Sequence, residues 1–358
     1  MNKSHSSRAV AIWLLIGVGM LLIQVILGGI TRLTGSGLSI TEWNVVTGAL
    51  PPLNSQQWVT EFDKYKQTPQ FNLLHSDFNL SDFKFIFFWE WFHRFWARLV
   101  GVVFIVGFIY LLWEKELKQS MIKPLLILFL LGALQGAVGW IMVKSGLVGD
   151  AIYVQPTKLA LHFIFALALV CYTFWFALQL LIPKSEIVKN FSVHKWTLII
   201  IIVLCFQLLF GALMAGHKAA PAASTWPTIN GDWIPDSLFK ESPWLINFIK
   251  NKITIHFVHR GLAYLLFVLV LIWTFKAFKI LKTSSLYFYK SRWLPLFIIS
   301  LQIVLGIITV LNGSSIVANH WGFFEWMAQL HQLTAMLFLL IMIYMLYVVR
   351  SLMSVVRS

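Results

Sequence analysis

The chain has 358 residues, of which 59% are hydrophobic and only 12% charged, whereas soluble domains carry about 25% charged residues. This composition excludes a soluble enzyme and a disordered chain, and two cysteines exclude a disulfide-built secreted scaffold. The net charge of +14 fits the cationic loops of a membrane protein, so it is no sign of a nucleic-acid partner.

Apolar stretches long enough to cross a bilayer recur eight times, predicting helices over about 9–30, 85–112, 124–143, 158–182, 196–215, 253–275, 294–312 and 324–349. The first lacks a small-residue cleavage site and is expected to stay as an anchor helix. Lys and Arg crowd the N-terminus, the short 113–123, 183–195 and 276–293 connections and the tail that holds Arg357. The long connections 31–84 and 216–252 dilute their basic residues with Glu42, Glu61, Asp63, Asp232 and Glu241. The positive-inside rule then predicts a multi-pass protein of the cell's inner (plasma) membrane, with both termini cytoplasmic and the long loops outside. Cys171 and Cys205 fall inside spans, and the long loops contain no cysteine, so no disulfide or thiol chemistry is expected outside. Trp58, Tyr65 and Phe71 make the 53–84 loop either an interfacial lid or plain connecting chain.

The sequence repeats itself. Gln24-Val-Ile-Leu-Gly28 returns as Gln207-Leu-Leu-Phe-Gly211, His93-Arg94 as His259-Arg260 and Leu161-His162 as Leu330-His331. Helices 1–4 and 5–8 therefore form two copies of one unit, expected as residues 1–190 and 191–358. The fold expected is an all-α polytopic membrane protein, two tandem four-helix bundles related by a pseudo-twofold axis along the membrane normal. Gln24/Gly28, Gln135/Gly139, Gln207/Gly211 and Gln302/Gly306 place Gln-x-x-x-Gly in every odd span. Residues four apart share a helix face. Each pair is either a close-packing notch with an interhelical hydrogen bond, or a slot that lets a flat cofactor approach the backbone.

Ionisable groups inside a bilayer are costly and mark function. His93, His162, His256, His259 and His331 all lie in even spans. Four of them, one per even span, are expected in one layer roughly 6–12 Å below the outer surface. Zinc or copper sites usually recruit Cys or carboxylate ligands. Imidazole pairs among Trp, Phe, Leu and Gly suit heme instead, with His93 and His162 as one axial pair and His259 and His331 as the other. Arg94, Arg98 and Arg260 are candidate partners for heme propionates, or structural partners of Glu90 and backbone carbonyls. The copies differ three residues before the first histidine. Glu90 gives Glu-x-x-His-Arg, whereas His256 gives His-x-x-His-Arg. A carboxylate beside an iron is a candidate proton-exchanging group, so the first site is expected to do chemistry and the second to hold a resident heme.

The run Gly28-Gly-Ile-Thr-Arg-Leu-Thr-Gly-Ser-Gly-Leu-Ser-Ile-Thr-Glu-Trp43, with Thr47-Gly and Leu50-Pro-Pro52, resembles the first outer loop of the heme A synthases. Glu90-Trp-Phe-His-Arg94, Thr225-Trp-Pro-Thr-Ile-Asn-Gly-Asp-Trp-Ile-Pro235, His259-Arg260 and Leu330-His-Gln332 agree with it in order along the chain. The loops without cysteine are similar to the proteobacterial and mitochondrial branch. Gly216–Ala223 is an unusual version of its loop, and His256 stands where a Gln is commoner in the family. The resemblance implies oxidation of a methyl group of heme O to a formyl group by successive hydroxylations, giving heme A for cytochrome oxidase. It implies a heme b held by His259 and His331, and heme O as substrate at His93 and His162. Glu90 would be the acid/base or cation-stabilising group. It also implies a heme O synthase, oxidase assembly factors, membrane lipid and an electron donor as partners, with a homo-oligomer left open. The farnesyl tail of heme O needs an apolar exit, for which the Gly notches are the expected place. A two-heme b-type electron-transfer protein and a heme carrier are the alternatives, the former disfavoured by ligands that share one layer.

Overall fold

The computed structural model describes residues 3–42, 48, 50–316 and 321–351, with residues 3–7 as backbone only. Trp43, Thr47 and Arg357 lie outside the described residues. Twelve α-helices follow in order: α1 (Lys3–Leu33), α2 (Ser55–Lys66), α3 (Pro69–Leu74), α4 (Leu80–Trp113), α5 (Gln119–Lys144), α6 (Pro156–Leu181), α7 (Phe191–Gly216), α8 (Asn247–Lys250), α9 (Lys252–Phe278), α10 (Leu286–Ser291), α11 (Leu294–Leu311) and α12 (Phe323–Val348). Eight of these, among the described residues, are long and apolar enough to span a membrane. They coincide with the predicted spans, so the chain is an all-α polytopic membrane protein.

Neighbours in the two sets of four correspond. α1 packs on α4 as α7 packs on α9, and α5 on α6 as α11 on α12. Between the sets, α6 meets α7 and α12 meets α1, the reciprocal arrangement a twofold axis requires. The largest core lies at this junction, where Leu167, Ile200, Leu204, Leu266, Val270, Trp273, Met336 and Met342 are buried together. Trp273, fully buried, satisfies its indole by donating to Thr197 Oγ1 at 2.8 Å. At the other end of α12 the strand β2 (Val349–Arg350) pairs in parallel with β1 (Val188–Lys189), fastening the chain beyond α12 to the α6–α7 connection.

One element departs from the prediction. α4 starts at Leu80 rather than near residue 85, so His93 stands thirteen residues inside its helix. His162, His259 and His331 stand only six, seven and eight residues inside theirs. The added turn has two physical causes. Asn79 and Asp82 close a reciprocal capping box at its start. Phe83, Ile86 and Phe87 then bury against Phe62 and Tyr65 of α2. The 53–84 loop is thus neither bare connection nor loose flap; α2 and α3 form a cap with its own small core.

The cap is fastened by a polar chain. His75 Nδ1 lies 2.6 Å from Tyr65 Oη, which donates to Gln70 Oε1 at 3.0 Å. One hydroxyl proton cannot serve both contacts, so the Nδ1–H tautomer of His75 donates to Tyr65. Gln70 in turn donates to the carbonyls of Gly35 and Ile152, joining three connections. Burial holds the His75 imidazole below its usual value of 6.5, with Lys218 acting the same way and Asp77 opposing both. The folded cap therefore binds fewer protons than the unfolded segment. Its stability is complete above about pH 6.5 and declines as pH falls through that value. Hydrogen-exchange protection factors of residues 55–74, corrected for the intrinsic pH dependence of exchange, are expected to fall between pH 7 and pH 5.5, with a smaller fall in His75→Gln; an equal pH response in both proteins contradicts the assignment.

Candidate functional site

Four half-buried imidazoles in an apolar bundle each need a polar partner and room for the ring. The Gln-x-x-x-Gly motifs supply both. The amide nitrogen of Gln24 lies 3.1 Å from Nε2 and 3.2 Å from Nδ1 of His93, and donates to the His93 carbonyl at 3.2 Å. Gln135 treats His162 alike, at 3.1 Å from Nδ1 and from the carbonyl. Gln207 and Gln302 each approach the Nε2 of His259 and His331 at 3.3 Å. The glycine one turn later leaves space for the same ring. A Cβ at Gly28, Gly139, Gly211 or Gly306 would stand 3.1, 2.8, 3.2 or 2.9 Å from Cε1 of His93, His162, His259 or His331. The notches are therefore filled by the imidazoles. They are not slots for a flat cofactor, and the expectation that they let an isoprenoid tail out fails for the same steric reason.

The C-terminal pair is set for one shared ligand. The ring centres of His259 and His331 lie 6.4 Å apart, with the ring planes 71° from parallel. Two imidazoles bound through Nε2 on opposite sides of one metal, each at ~2.0 Å, put their ring centres about 6 Å apart. His331 Nδ1–H donates to the Gln302 carbonyl at 3.1 Å, which puts the lone pair on Nε2, the atom that the Gln302 amide approaches and that a metal would take. The residues present fit a bis-histidine heme. For His93 and His162 the structure gives mutual electrostatic influence and no ring contact.

Each first histidine is flanked by residues that hold the adjoining loop. Glu90 is 2% exposed. Its Oε2 accepts from the Ser39 hydroxyl at 2.8 Å and the Ile40 N–H at 2.9 Å, and its Oε1 accepts from Arg94 at 2.5 Å. Arg94 also donates to the carbonyls of Ile40 and Glu42. In the second copy His256 donates from Nε2 to the Ala219 carbonyl at 2.8 Å, and Arg260 donates to Ala223, Thr225 and Thr228. Of the two readings of the arginines, the structure displays the structural one for Arg94 and Arg260. His256 spends its donor on the loop. Arg98 lies one turn beyond Arg94 and is half-buried.

Sequence reasoning missed the link between the two halves. Gln332, next to His331, donates to the Val25 carbonyl at 3.0 Å, and Gln329 donates to Ile26 at 3.2 Å. Both amides press on Gly29, where a Cβ would stand 2.4 Å from Gln329 Oε1. The adjacent glycines Gly28 and Gly29 thus admit His93 on one side of α1 and α12 on the other. A Gly-Gly pair inside a span was the available signal.

Comparison with known proteins gives one consistent match. The family model of COX15-CtaA, cytochrome oxidase assembly protein, covers residues 11–343. A heme A synthase of Flavobacterium psychrophilum is 40% identical over 94% of this chain and 96% of its own. One from Bradyrhizobium diazoefficiens is 40% identical over 86% and 85%, and one from Paracoccus denitrificans 37% identical over 86% and 81%.

The ring cradles make a steric prediction. Gly306→Ala places a methyl group against His331 and is expected to weaken retention of a heme at that pair at least tenfold, with loss of its low-spin bis-histidine spectrum. Gly261→Ala, where a Cβ meets open space, is expected to leave the spectrum unchanged. Equal spectra for both variants would remove the role given to the notch.

Proposed function

The chain belongs to the COX15-CtaA family of cytochrome oxidase assembly proteins, and on that premise we propose how its two halves divide the work of a heme A synthase. The protein is an oxidoreductase that converts a methyl group of heme O to the formyl group of heme A by successive hydroxylations. Residues 191–358 hold a heme b between His259 and His331, and residues 1–190 receive heme O between His93 and His162. The observation that carries this division is the difference one turn before the first histidine of each copy. In the first copy a buried carboxylate, Glu90, precedes His93; in the second the same position is His256, which donates to the Ala219 carbonyl, and the 6.4 Å between the rings of His259 and His331 suits a resident cofactor.

When bound, heme b supplies a one-electron centre close to the substrate half. The chain's own residues do the remainder. Gln24 and Gln135 orient the imidazoles that would grip the substrate iron, and the glycine at the next turn leaves room for each ring. Glu90 has both oxygens occupied by Ser39, Ile40 and Arg94. Such a carboxylate is a fixed charge on the His93 face of α4, suited to stabilising positive charge that develops near the ring methyl, and it holds the 39–42 loop in place. Arg94, Arg98 and Arg260, close after His93 and His259 on α4 and α9, would hold heme propionates, Arg94 and Arg260 by exchanging loop carbonyls for carboxylates. The long loops face outward, both termini are cytoplasmic, and the partners are a heme O synthase upstream, oxidase assembly factors downstream and an electron donor. The membrane is the cell's inner membrane.

Heme extraction and chromatography from membranes coexpressing the chain with a heme O synthase tests the division. Wild type is expected to accumulate heme A. Glu90→Ala is expected to lose at least 90% of it while keeping heme b, and His259→Ala to lose heme b as well. Bound heme without any heme A, although heme O and reductant are supplied, would favour the electron-transfer or carrier reading.

A further inference from the structure

The two four-helix sets are not equally closed. In the second, α9 packs along α11, which completes a ring with α12 and α7. In the first, the corresponding helices α4 and α5 do not pack along one another. They touch near their connection, where Phe104 stacks on Phe129 at 6.1 Å and Leu111, Met121 and Leu125 are buried. Toward the His93 and His162 layer the seam opens.

Side-chain size explains the difference. Met121, Leu125, Leu128, Gly132, Gly136 and Gly139 share one face of α5 by helical spacing. The first three are buried, and Gly139 seats the His162 ring. Gly132 and Gly136, between them, are exposed, and a Cβ at either would meet nothing. Opposite on α4, Ala97 is exposed and a Cβ at Gly101 would also meet nothing. The repeat aligns Gln135 with Gln302 and His93 with His259. It thereby sets Ile299 and Ile303 against Gly132 and Gly136, and Phe267 against Gly101. Ile299 is 3% exposed, and Phe267 and Ile303 pack on the same core. Three bulky residues fill the second bundle where three glycines leave the first one open. Gln135 Oε1, beside Gly136, is buried without a hydrogen-bond partner.

We propose that the α4–α5 seam, floored by Ala97, Gly101, Gly132 and Gly136, is the binding channel for the isoprenoid tail of the heme substrate and its lateral door to the lipid. This rests on the assignment of the substrate to His93 and His162. The seam runs from His93 to Phe104, about 16 Å of helix, a length that an extended farnesyl chain fills. Its floor of Ala97, Gly101, Gly132 and Gly136 is apolar and it begins at the iron-binding pair, so the macrocycle and the tail of one molecule lie in continuous space. The filled seam of the second half selects a heme without such a tail, which is how one fold keeps heme b and heme O apart.

The test is a spectroscopic titration of the full-length protein, purified from cells lacking heme O synthase with heme b in its second half. Heme O and tail-less protoheme are added separately to wild type, Gly132→Ile/Gly136→Ile and His93→Ala. The double variant is expected to bind heme O at least tenfold more weakly and protoheme within threefold of wild type. Loss of both ligands alike, or of neither, overturns the channel. Equal binding by His93→Ala and wild type overturns instead the substrate assignment on which it rests. If the double substitution disturbs the resident heme b spectrum, the single variant Gly136→Val is read by the same criteria.

Discussion

The structure depends on one contact made four times: a glutamine amide against a half-buried imidazole, with a glycine one turn away on the same helix. An imidazole in hydrocarbon costs several kcal/mol unless its nitrogens find partners. A ring that must also ligate a metal cannot spend both nitrogens on the protein. The glutamine amide approaches the nitrogen a metal would take and, in the first half, bonds the histidine's own carbonyl as well. The carbonyl oxygens of Gln24, Gln135, Gln207 and Gln302 remain buried without partners. Such oxygens are costly to bury, which sets these amides apart from the apolar residues around them, and because every odd helix bears one, each odd helix is tied to the even helix that carries its histidine.

Around that contact the two copies solve a second problem with different chemistry. A loop must be held down over each imidazole pair, and donors or acceptors one turn before and one residue after the first histidine do it. In the first copy a buried ion pair, Glu90 with Arg94, gathers Ser39, Ile40 and Glu42. In the second, His256 and Arg260 gather Ala219, Ala223, Thr225 and Thr228. A buried ion pair is no better for stability than neutral hydrogen bonds and often worse. A carboxylate is therefore informative where the sister copy manages without one, and the same positional logic that makes Glu90 a clamp makes it the one fixed negative charge on the His93 face of α4.

Much of this was legible in the sequence for definite reasons. Span positions are a matter of apolar length, and the recurrence of Gln-x-x-x-Gly and of one histidine per partner span is a matter of register within a repeat. The alignment of Gln with Gly predicted a shared face, but whether a ring or a cofactor fills a notch depends on a rotamer of another helix, which periodicity does not encode. The cap was hidden because α2 carries a mixed polar face, and its aromatic residues bury only once α4 grows the extra turn that Asn79 and Asp82 start. Gln332 was visible as part of a motif, yet its partner is a backbone carbonyl of α1 some three hundred positions away, and backbone acceptors carry no side-chain signature.

The divergence between the halves then takes a consistent form. Polar positions are kept in both copies, since moving an imidazole or its amide would break the site, while apolar positions on the same faces change in volume. Replacing Phe, Ile and Ile by three glycines removes several side chains' worth of packing between two helices. In a soluble core such a void would cost many kcal/mol. In a membrane the penalty is far smaller, because lipid tails or an apolar ligand can occupy the space and no apolar surface is exposed to water. A bilayer protein can therefore leave one of two equivalent seams open without losing its fold, and a tailed substrate and a tail-less cofactor can be sorted by side-chain volume while their iron-binding residues stay the same.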